Sequence, residues 1–270
     1  MIAVTGATGN VGRELVNALH AAGEEVLAIS RTPATFPAGV THVPADLTRP
    51  ETLPLEGVDT LFLLMEGDPE AVLSQVKGMN KIVLLSSQGA GTRPGPYHHA
   101  VVFEEAVRAW DGDWTILRPG GFNSNAFAWA RTIGESRTAH APFGDVGLPT
   151  IDPRDIAEVA AITLTQGGHT GAIYELTGPE LTTPRQRAAV IGDLLASPVR
   201  FVEQTPEEAG VEMLRYMPEP VVTSTLQILG TPTVREQRVS PDVKELLGRA
   251  PRPFVDWAAR NIEAFRGAGA

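Results

Sequence analysis

The chain opens with the sequence MIAVTGATGNVG, in which a short apolar run leads into Gly6, Gly9 and Gly12. The run is typical of a buried β-strand, and the glycines fall where that strand would turn into a helix. Gly6 allows a sharp turn, Gly9 lets a pyrophosphate approach the backbone, and Gly12 lets the helix pack close to the strand. Backbone N–H groups and the positive end of a helix dipole then meet at one point, which attracts a phosphate. The opening therefore predicts a phosphate-binding turn, and a purely structural turn is the alternative.

Short apolar runs alternate with helical patterns through the first two-thirds of the chain. Runs such as TLFLLM and KIVLLS show no polar alternation, which is typical of strands buried on both faces of a parallel sheet. This alternation predicts an α/β fold, a doubly wound parallel sheet with helices on both faces. The predicted strands span residues 2–5, 25–29, 41–44, 60–65, 81–86 and 114–117, and the predicted helices span 11–22, 69–76, 97–110 and 154–165.

The pattern changes after about residue 175, where proline-rich connections separate short amphipathic helices. A segment over 123–149 also interrupts the strand–helix alternation. We therefore predict two parts. Residues 1–122 and about 150–176 form a nucleotide-binding domain, and about 123–149 and 177–270 form a smaller, mainly helical substrate lobe.

The end of the second predicted strand indicates which dinucleotide the turn would bind. A carboxylate there would hydrogen-bond a ribose 2′-hydroxyl, whereas an arginine would pair with a 2′-phosphate. The sequence VLAISRTP places Ser30 and Arg31 at this point, with no carboxylate between Ala28 and Thr35. The pattern favours NADP(H) over NAD(H). The alternative is that Arg31 is a solvated loop arginine.

Composition excludes several classes of function. The chain has no cysteine, which excludes disulfides and thiolate chemistry, and its six histidines show no metal-binding spacing, so we predict no metal site. With 22 basic and 32 acidic residues the net charge is 22 − 32 = −10, which disfavours a nucleic-acid partner. No apolar run reaches the roughly 18 residues of a membrane span, and no basic region precedes the apolar start. We expect no membrane association and a cytoplasmic location.

Several motifs together resemble those of the NmrA-like group of atypical short-chain dehydrogenases/reductases. They are ADL at 45–47, LLSSQGAG at 84–91, WTILRPGGF at 114–122, IDPRDIAEVA at 151–160, YELTGPE at 174–180 and ELLGRAPRPFVDWA at 245–258. The resemblance implies a Rossmann-type domain with a small C-terminal substrate lobe, and a ligand cleft at the carboxyl ends of the strands. It places the pyrophosphate on Gly6, Thr8, Gly9, Asn10 and Val11, the adenosine phosphate on Arg31, the adenine beside Asp46 and Leu47, and the nicotinamide near Leu64, Met65, Ser86, Ser87, Gly120 and Phe122.

One expected feature of that group is missing. Most short-chain dehydrogenases carry a tyrosine and, four residues later on the same helix face, a lysine that lowers the tyrosine pKa. Tyr97 lies in the right region, but Val101 occupies the fourth position after it. The proton donor is then Tyr97, His98, His99 or a water held by Ser87. The alternatives are that the histidines are surface or capping residues and that Ser86 and Ser87 bond only to backbone.

The missing lysine leaves three functions open. The leading hypothesis is an NADPH-dependent oxidoreductase that transfers hydride to a small quinone-like or conjugated acceptor, which needs little acid catalysis. The second is a non-catalytic NADP(H)-sensing regulator, and the third is an isomerase or cyclase that reuses the cleft. The aromatic residues Phe122, Phe127, Trp129 and Phe143 suit a planar, apolar substrate or simply pack the lobe. The segment over 211–230 is core, a pocket wall or the face of a homodimer.

Overall fold

Nine strands lie in the part of the chain, residues 1–267, that the computed structural model describes. They are β1 (Ile2–Thr5), β2 (Val26–Ser30), β3 (Thr41–Pro44), β4 (Thr60–Leu64), β5 (Lys81–Leu85), β6 (Asp113–Pro119), β7 (Thr138–Ala141), β8 (Ala172–Leu176) and β9 (Arg200–Glu203). Seven of them form one sheet in the order β3-β2-β1-β4-β5-β6-β8, and every pairing in it is parallel. The predicted Rossmann-type parallel sheet is confirmed.

The central strands are apolar on both faces, as the unbroken hydrophobic runs predicted. Ala3, Val4, Phe62, Leu63 and Val83 have no exposed surface. Because helices cover both faces of a parallel sheet, neither side of a central strand meets water. This double burial explains why the strands could be found without any alternation of polar residues.

Helices α1 and α6 pack against each other beside this sheet, and several helices begin with a proline in the first turn behind a capping side chain. Asp68, Thr183 and Thr205 each accept a hydrogen bond from a first-turn backbone N–H, as N-cap residues do. The helices are α1 (Gly12–Ala21), α2 (Pro69–Gln75), α3 (Gln88–Thr92), α4 (His98–Ala109), α5 (Ala130–Ser136), α6 (Pro153–Thr165), α7 (Pro184–Leu194), α8 (Pro206–Met213), α9 (Glu219–Gly230), α10 (Asp242–Leu247) and α11 (Phe254–Arg260), with 3₁₀ turns at Pro50–Thr52, Asn123–Trp129 and Ile262–Phe265.

The chain divides into two compact units. Unit 1 comprises residues 1–119, 153–176 and 242–249, and unit 2 comprises 120–152, 177–241 and the described chain from 250. The segment 242–249, which the sequence placed with the smaller lobe, belongs to unit 1. Asp242 accepts a hydrogen bond from the Glu175 N–H at 2.7 Å, and Arg249 pairs with Asp155 at 2.7 Å. These polar contacts hold the segment against unit 1. They join residues far apart in sequence, so no local pattern could predict them.

Unit 2 has its own apolar core and a small parallel sheet. Trp129, Ile191, Phe254, Trp257 and Phe265 are buried together in this core. Strands β7 and β9 pair in parallel and were not predicted. Trp129 is thus a core residue, as one of the two interpretations of the aromatic cluster expected. No helix in residues 1–267 is long and apolar enough to cross a membrane.

Candidate functional site

The turn after β1 has the geometry that the three glycines predicted. Gly6 has a φ of 61°, in the left-handed region, and a Cβ there would lie 2.2 Å from Cδ1 of Leu64. A Cβ on Gly12 would lie 2.2 Å from the Gly6 carbonyl oxygen. Both positions therefore require glycine, one for its backbone conformation and one for the close approach of helix to strand.

Helix α1 begins without a side-chain cap at its N-cap residue. The N-cap residue is Val11, whose side chain makes no capping hydrogen bond. The Gly9 N–H donates to the Gly6 carbonyl at 2.9 Å, which closes the turn. Because the N-cap side chain satisfies none of the first-turn N–H groups, this helix start suits a phosphate.

A cavity of about 240 Å³ opens over this turn, within unit 1. Its walls come from the carboxyl ends of β1, β2 and β4 and from the segment after β3, which is the edge where α/β sheets bind nucleotides. The lining residues are Thr5, Gly6, Thr8, Gly9, Ile29, Ser30, Arg31, Thr32, Ala45, Leu47, Leu64 and Glu66. Seven of the residues predicted to bind the cofactor are thus brought together: Gly6, Thr8, Gly9, Ser30, Arg31, Leu47 and Leu64.

The end of β2 presents a cation at the rim of the cavity. Arg31 has 64% of its side chain exposed, and its Nη2 lies 3.7 Å from a carboxylate oxygen of Glu66. Ser30 is buried, and its hydroxyl donates to the Thr32 carbonyl at 2.8 Å with the His42 Nε2 2.9 Å away. Arg31 is therefore free to turn toward a ligand, whereas the Ser30 side chain is fixed. Glu66 had not been anticipated at this rim.

Asp46 and Leu47 follow β3 and face different surroundings. Leu47 is buried in the cavity wall. Asp46 accepts hydrogen bonds from the Thr48 N–H and hydroxyl, both at 2.9 Å. These two bonds hold the pKa of Asp46 below its ordinary value. The Asp46 carboxylate therefore stabilises a local turn.

A buried carboxylate that sequence reasoning missed lies beside Ser86. Glu104 on α4 is 1% exposed and accepts the Ser86 hydroxyl at 2.6 Å. Arg118 of β6 donates to both carboxylate oxygens, at 2.8 and 2.6 Å, and Arg108 donates at 2.7 Å. Burial opposes ionisation, but the bonds from Arg118 and Ser86 hold the pKa of Glu104 below 4.5. The network ties α4 to the carboxyl ends of β5 and β6.

Ser87 and Tyr97, two of the proposed proton-transfer residues, meet at Gly89. Ser87 is the N-cap of α3, and its hydroxyl accepts a hydrogen bond from the Gly89 N–H at 3.1 Å. A Cβ on Gly89 would lie 2.6 Å from the Tyr97 ring, so that ring rests directly on the glycine. The two hydroxyl-bearing side chains are therefore held by the same short helix.

His98 and His99 begin α4 and are both exposed. The His99 Nε2 lies 3.2 Å from the Met65 carbonyl oxygen, and its ring packs edge-on against Phe103 at 5.0 Å. The backbone of Met65 thus contacts the first turn of α4. His99 joins the segment after β4 to the start of α4.

No lysine assists Tyr97 in residues 1–267. The Val101 N–H donates to the Tyr97 carbonyl at 3.1 Å, so Val101 occupies the position one helical turn on. Lys81 lies at the opposite end of β5 from Ser86, roughly 16 Å along the strand, and donates to the Thr163 and Gln166 carbonyls. Lys77 and Lys244 are exposed on other elements. The lysine expected one helical turn after Tyr97 is therefore missing from α4.

Gly120 and Phe122, the remaining predicted cofactor residues, belong to unit 2. Phe122 pairs with Ile151 in an isolated parallel bridge, and the next residue, Asn123, donates its N–H to the Ile151 carbonyl at 2.8 Å. Both polar atoms of the Asn123 side chain are buried without a hydrogen-bond partner in the described chain. Arg187 of α7 is also buried in this unit. No pattern in the sequence marked either residue.

Comparison with known proteins agrees with this geometry. The profile of a family described as NAD(P)H-binding matches residues 6–166. The chain belongs to the NAD(P)H-binding family. The resemblance to the NmrA-like group that the motifs indicated is consistent with this family, and NADP(H) is the favoured cofactor.

Two relatives match this chain over nearly its whole length. A (4-alkanoyl-5-oxo-2,5-dihydrofuran-3-yl)methyl phosphate reductase of Streptomyces griseus subsp. griseus is 35% identical, with 98% of this chain and 99% of that protein covered. An NAD(P)H azoreductase of Xenophilus azovorans is 30% identical over the same shares. The crystal structure of an Escherichia coli NADPH-dependent quinone oxidoreductase complexed with NADPH superposes with a TM-score of 0.78, at 24% identity and covering 97% and 99% of the two chains.

Proposed function

We propose that this protein transfers a hydride from NADPH to a small, electron-poor conjugated acceptor, a quinone or an acylated unsaturated lactone. Two features of the chain together carry the proposal. The glycine-rich turn after β1 is complete, and the lysine expected one helical turn after Tyr97 is missing. Such a site can bind and orient a hydride donor, yet it lacks the usual device for protonating an ordinary ketone.

The pyrophosphate and adenosine half of the cofactor is assigned to the cavity in unit 1. A Cβ at Gly6 or Gly12 would fill the turn that α1 opens, and the helix start supplies N–H donors to a pyrophosphate. We assign Thr8, Gly9, Asn10 and Val11 to this pyrophosphate. Arg31 receives the 2′-phosphate, with Leu47 beside the adenine. NADPH supplies the hydride when bound.

The nicotinamide half is assigned to the strand ends beside this turn. We propose that Leu64, Met65 and Ser86 border it. The cofactor role that the resemblance implies for Gly120 and Phe122 stays a prediction. Glu104 acts as a positioning residue because it fixes the Ser86 hydroxyl. Asp46 keeps a structural part in the turn beside the adenine end.

The acceptor class follows from what the site lacks. Reduction of a quinone gives a stabilised phenolate, and hydride addition to a double bond flanked by two carbonyls gives a stabilised enolate. Both products are weak bases, so strong general acid catalysis contributes little. The relatives' names describe azo, quinone and acyl-lactone substrates, which are all conjugated acceptors.

The proton reaches the product from the α3–α4 region. Because the Ser87 hydroxyl accepts a hydrogen bond from Gly89, its own hydrogen is available to a substrate oxygen or to a water. Tyr97 and His99 are the other candidate donors. We propose that Ser87 orients a water and that Tyr97 shields it.

Steady-state turnover tests the proposal. The purified protein should oxidise NADPH with menadione and with a 4-acyl butenolide well above the rate without enzyme, and much more slowly with cyclohexanone. Tight NADPH binding without turnover on any of these acceptors would instead support the cofactor-sensing regulator. Turnover of cyclohexanone at the quinone rate would contradict the assignment of the acceptor class.

We further propose that the enzyme acts in the cytoplasm, as a homodimer, on a planar and apolar acceptor. Phe122 and Phe127 leave part of each ring exposed, which suits a flat ligand. Val211, Leu214 and Tyr216 are exposed apolar residues on and after α8, which suits a self-association face. Light scattering after size exclusion tests the homodimer, and a monomer at micromolar concentration would exclude it.

A further inference from the structure

Arg187 on α7 is a buried cation in unit 2. The residue is 8% exposed, and its Nε has no hydrogen-bond acceptor in residues 1–267. The guanidinium carbon lies 5.7 Å from the centre of the Trp129 ring and 6.0 Å from that of Phe254. Burial lowers the pKa of Arg187 to about 10, so the side chain remains positively charged at pH 7.

Two other buried charges in the described chain are compensated. Glu104 is bonded to Arg118 and Arg108, and Asp152 is paired with Arg260 in unit 2 itself. Within the described chain no carboxylate forms such a pair with Arg187. A buried charge without a partner is costly, because the lost hydration is not replaced. Two aromatic rings recover only part of that cost.

Arg187 lies on the face of α7 that packs against the core of unit 2. The buried face of α7 carries Pro184, Arg187, Ala188 and Ile191, and Ala188 and Ile191 belong to the apolar core of unit 2. The stem of the arginine therefore lies against this core. An apolar side chain at this position would pack against the core without the free-energy cost of burying a charge.

A second polar side chain of the same unit is also unsatisfied. Both amide atoms of Asn123 are buried without a partner in the described residues. Asn123 begins the 3₁₀ turn that ends at Trp129, whose ring lies beside Arg187. Two unsatisfied groups on one element and its neighbour indicate a ligand with an anionic end.

We propose that Arg187 binds the phosphate monoester group of the substrate, so that unit 2 selects phosphorylated conjugated acceptors. This inference rests on the proposed function for the identity of the acceptor. A phosphate dianion supplies the missing counter-charge and accepts hydrogen bonds from the guanidinium fork. The aromatic rings of Trp129 and Phe254 keep the fork in place.

Binding of inorganic phosphate tests the anion site without any acceptor. Calorimetric titration is run on protein saturated with NADP⁺, so that the cofactor's own phosphate positions are occupied. Wild-type protein should bind phosphate, and acetate at equal ionic strength should not compete. Arg187→Met should abolish the heat signal, and Arg187→Lys should weaken it. The matched control is Arg131→Met, which removes an exposed arginine of the same unit and should bind as wild type does.

Kinetics distinguish a substrate phosphate from free phosphate. The acceptor is a 4-acyl butenolide with a hydroxymethyl group, compared with the phosphate ester of the same alcohol. Arg187→Met should raise KM for the ester relative to the alcohol by roughly 10- to 100-fold, the loss of one or two charged hydrogen bonds. Arg131→Met should leave the ratio unchanged.

Each result decides the proposal. No phosphate binding by the wild-type protein would overturn it whether or not the variants fold, and so would equal binding by Arg187→Met. An unchanged ratio of KM values would restrict Arg187 to free phosphate and overturn the substrate assignment. Phosphate binding through Arg187 with no turnover on any acceptor would refute the proposed function and leave the anion site standing.

Discussion

The hydroxyl of Ser86, at the end of β5, donates to the buried carboxylate of Glu104 at 2.6 Å. Glu104 lies on α4, the helix whose first turn carries His98 and His99. The contact therefore fixes the helix that holds the candidate proton donors relative to the strand end that we assign to the nicotinamide. Arg118 and Arg108 complete the network and leave the carboxylate fully compensated.

Glu104→Gln should destabilise the protein by about 3 kcal/mol, because Arg118 loses its buried counter-charge. Urea denaturation at pH 7 measures the change. Glu105→Gln, an exposed neighbour on the same helix, is the control and should change stability by less than about 0.5 kcal/mol. Equal effects of the two substitutions would show that the Glu104 network contributes little.

The stability that Glu104 contributes should depend on pH. Its folded-state pKa lies below its ordinary value of 4.5, so the contribution is fully present above that value. It is lost as the pH falls through the lower folded-state pKa. The difference in unfolding free energy between wild type and Glu104→Gln should therefore shrink on going from pH 7 to below pH 4.5. A constant difference across this range would contradict the assignment.

Gly6→Ala should lose both stability and NADPH affinity. The substitution forces alanine into a left-handed conformation, which costs about 1–2 kcal/mol, and drives its Cβ into Leu64, which adds about 1–3 kcal/mol. Gly23→Ala has a comparable φ of 82° with nothing within 4 Å of the added Cβ. Gly23→Ala should therefore lose only the stability that the left-handed conformation costs, as measured by denaturation. Its NADPH affinity, measured by fluorescence titration, should be normal.

Arg31→Ala should weaken NADPH by roughly 10- to 100-fold and NADH by much less, because only NADPH carries the 2′-phosphate. Glu66→Gln should tighten NADPH by a few-fold, because it removes a negative charge 3.7 Å from Arg31 at an exposed rim. Dissociation constants for both cofactors measure these effects. Equal losses of NADPH and NADH in Arg31→Ala would show that Arg31 does not read the 2′-phosphate.

Val101→Lys should extend the activity to ordinary ketones. It places an ammonium group one helical turn after Tyr97, where it can lower the tyrosine pKa. We expect kcat/KM for cyclohexanone to rise by about tenfold or more, within the range of general acid catalysis. Val102→Lys introduces the same charge on a different face of α4 and should give no such gain. A gain in both variants would point to a general charge effect.

Local sequence determined the cofactor half of this molecule. The β1 turn, the arginine after β2 and the apolar runs of the central strands were all recognisable, because glycine geometry and double burial leave signals within a few residues. The seventh strand, β8, and the pair β7–β9 gave no such signal. Their edges are short and partly exposed, so their pairing depends on partners far away in the chain.

The local pattern of residues was enough to predict the doubly wound sheet, the dinucleotide turn and the missing lysine beside Tyr97. Only the tertiary structure revealed that Glu104 is bonded to Ser86, that Glu66 faces Arg31 and that Arg187 is buried without a counter-charge. The reason is that burial and charge compensation are properties of residues brought together from distant segments. A charged residue in a sequence looks the same whether the fold pairs it, exposes it or leaves it for a ligand.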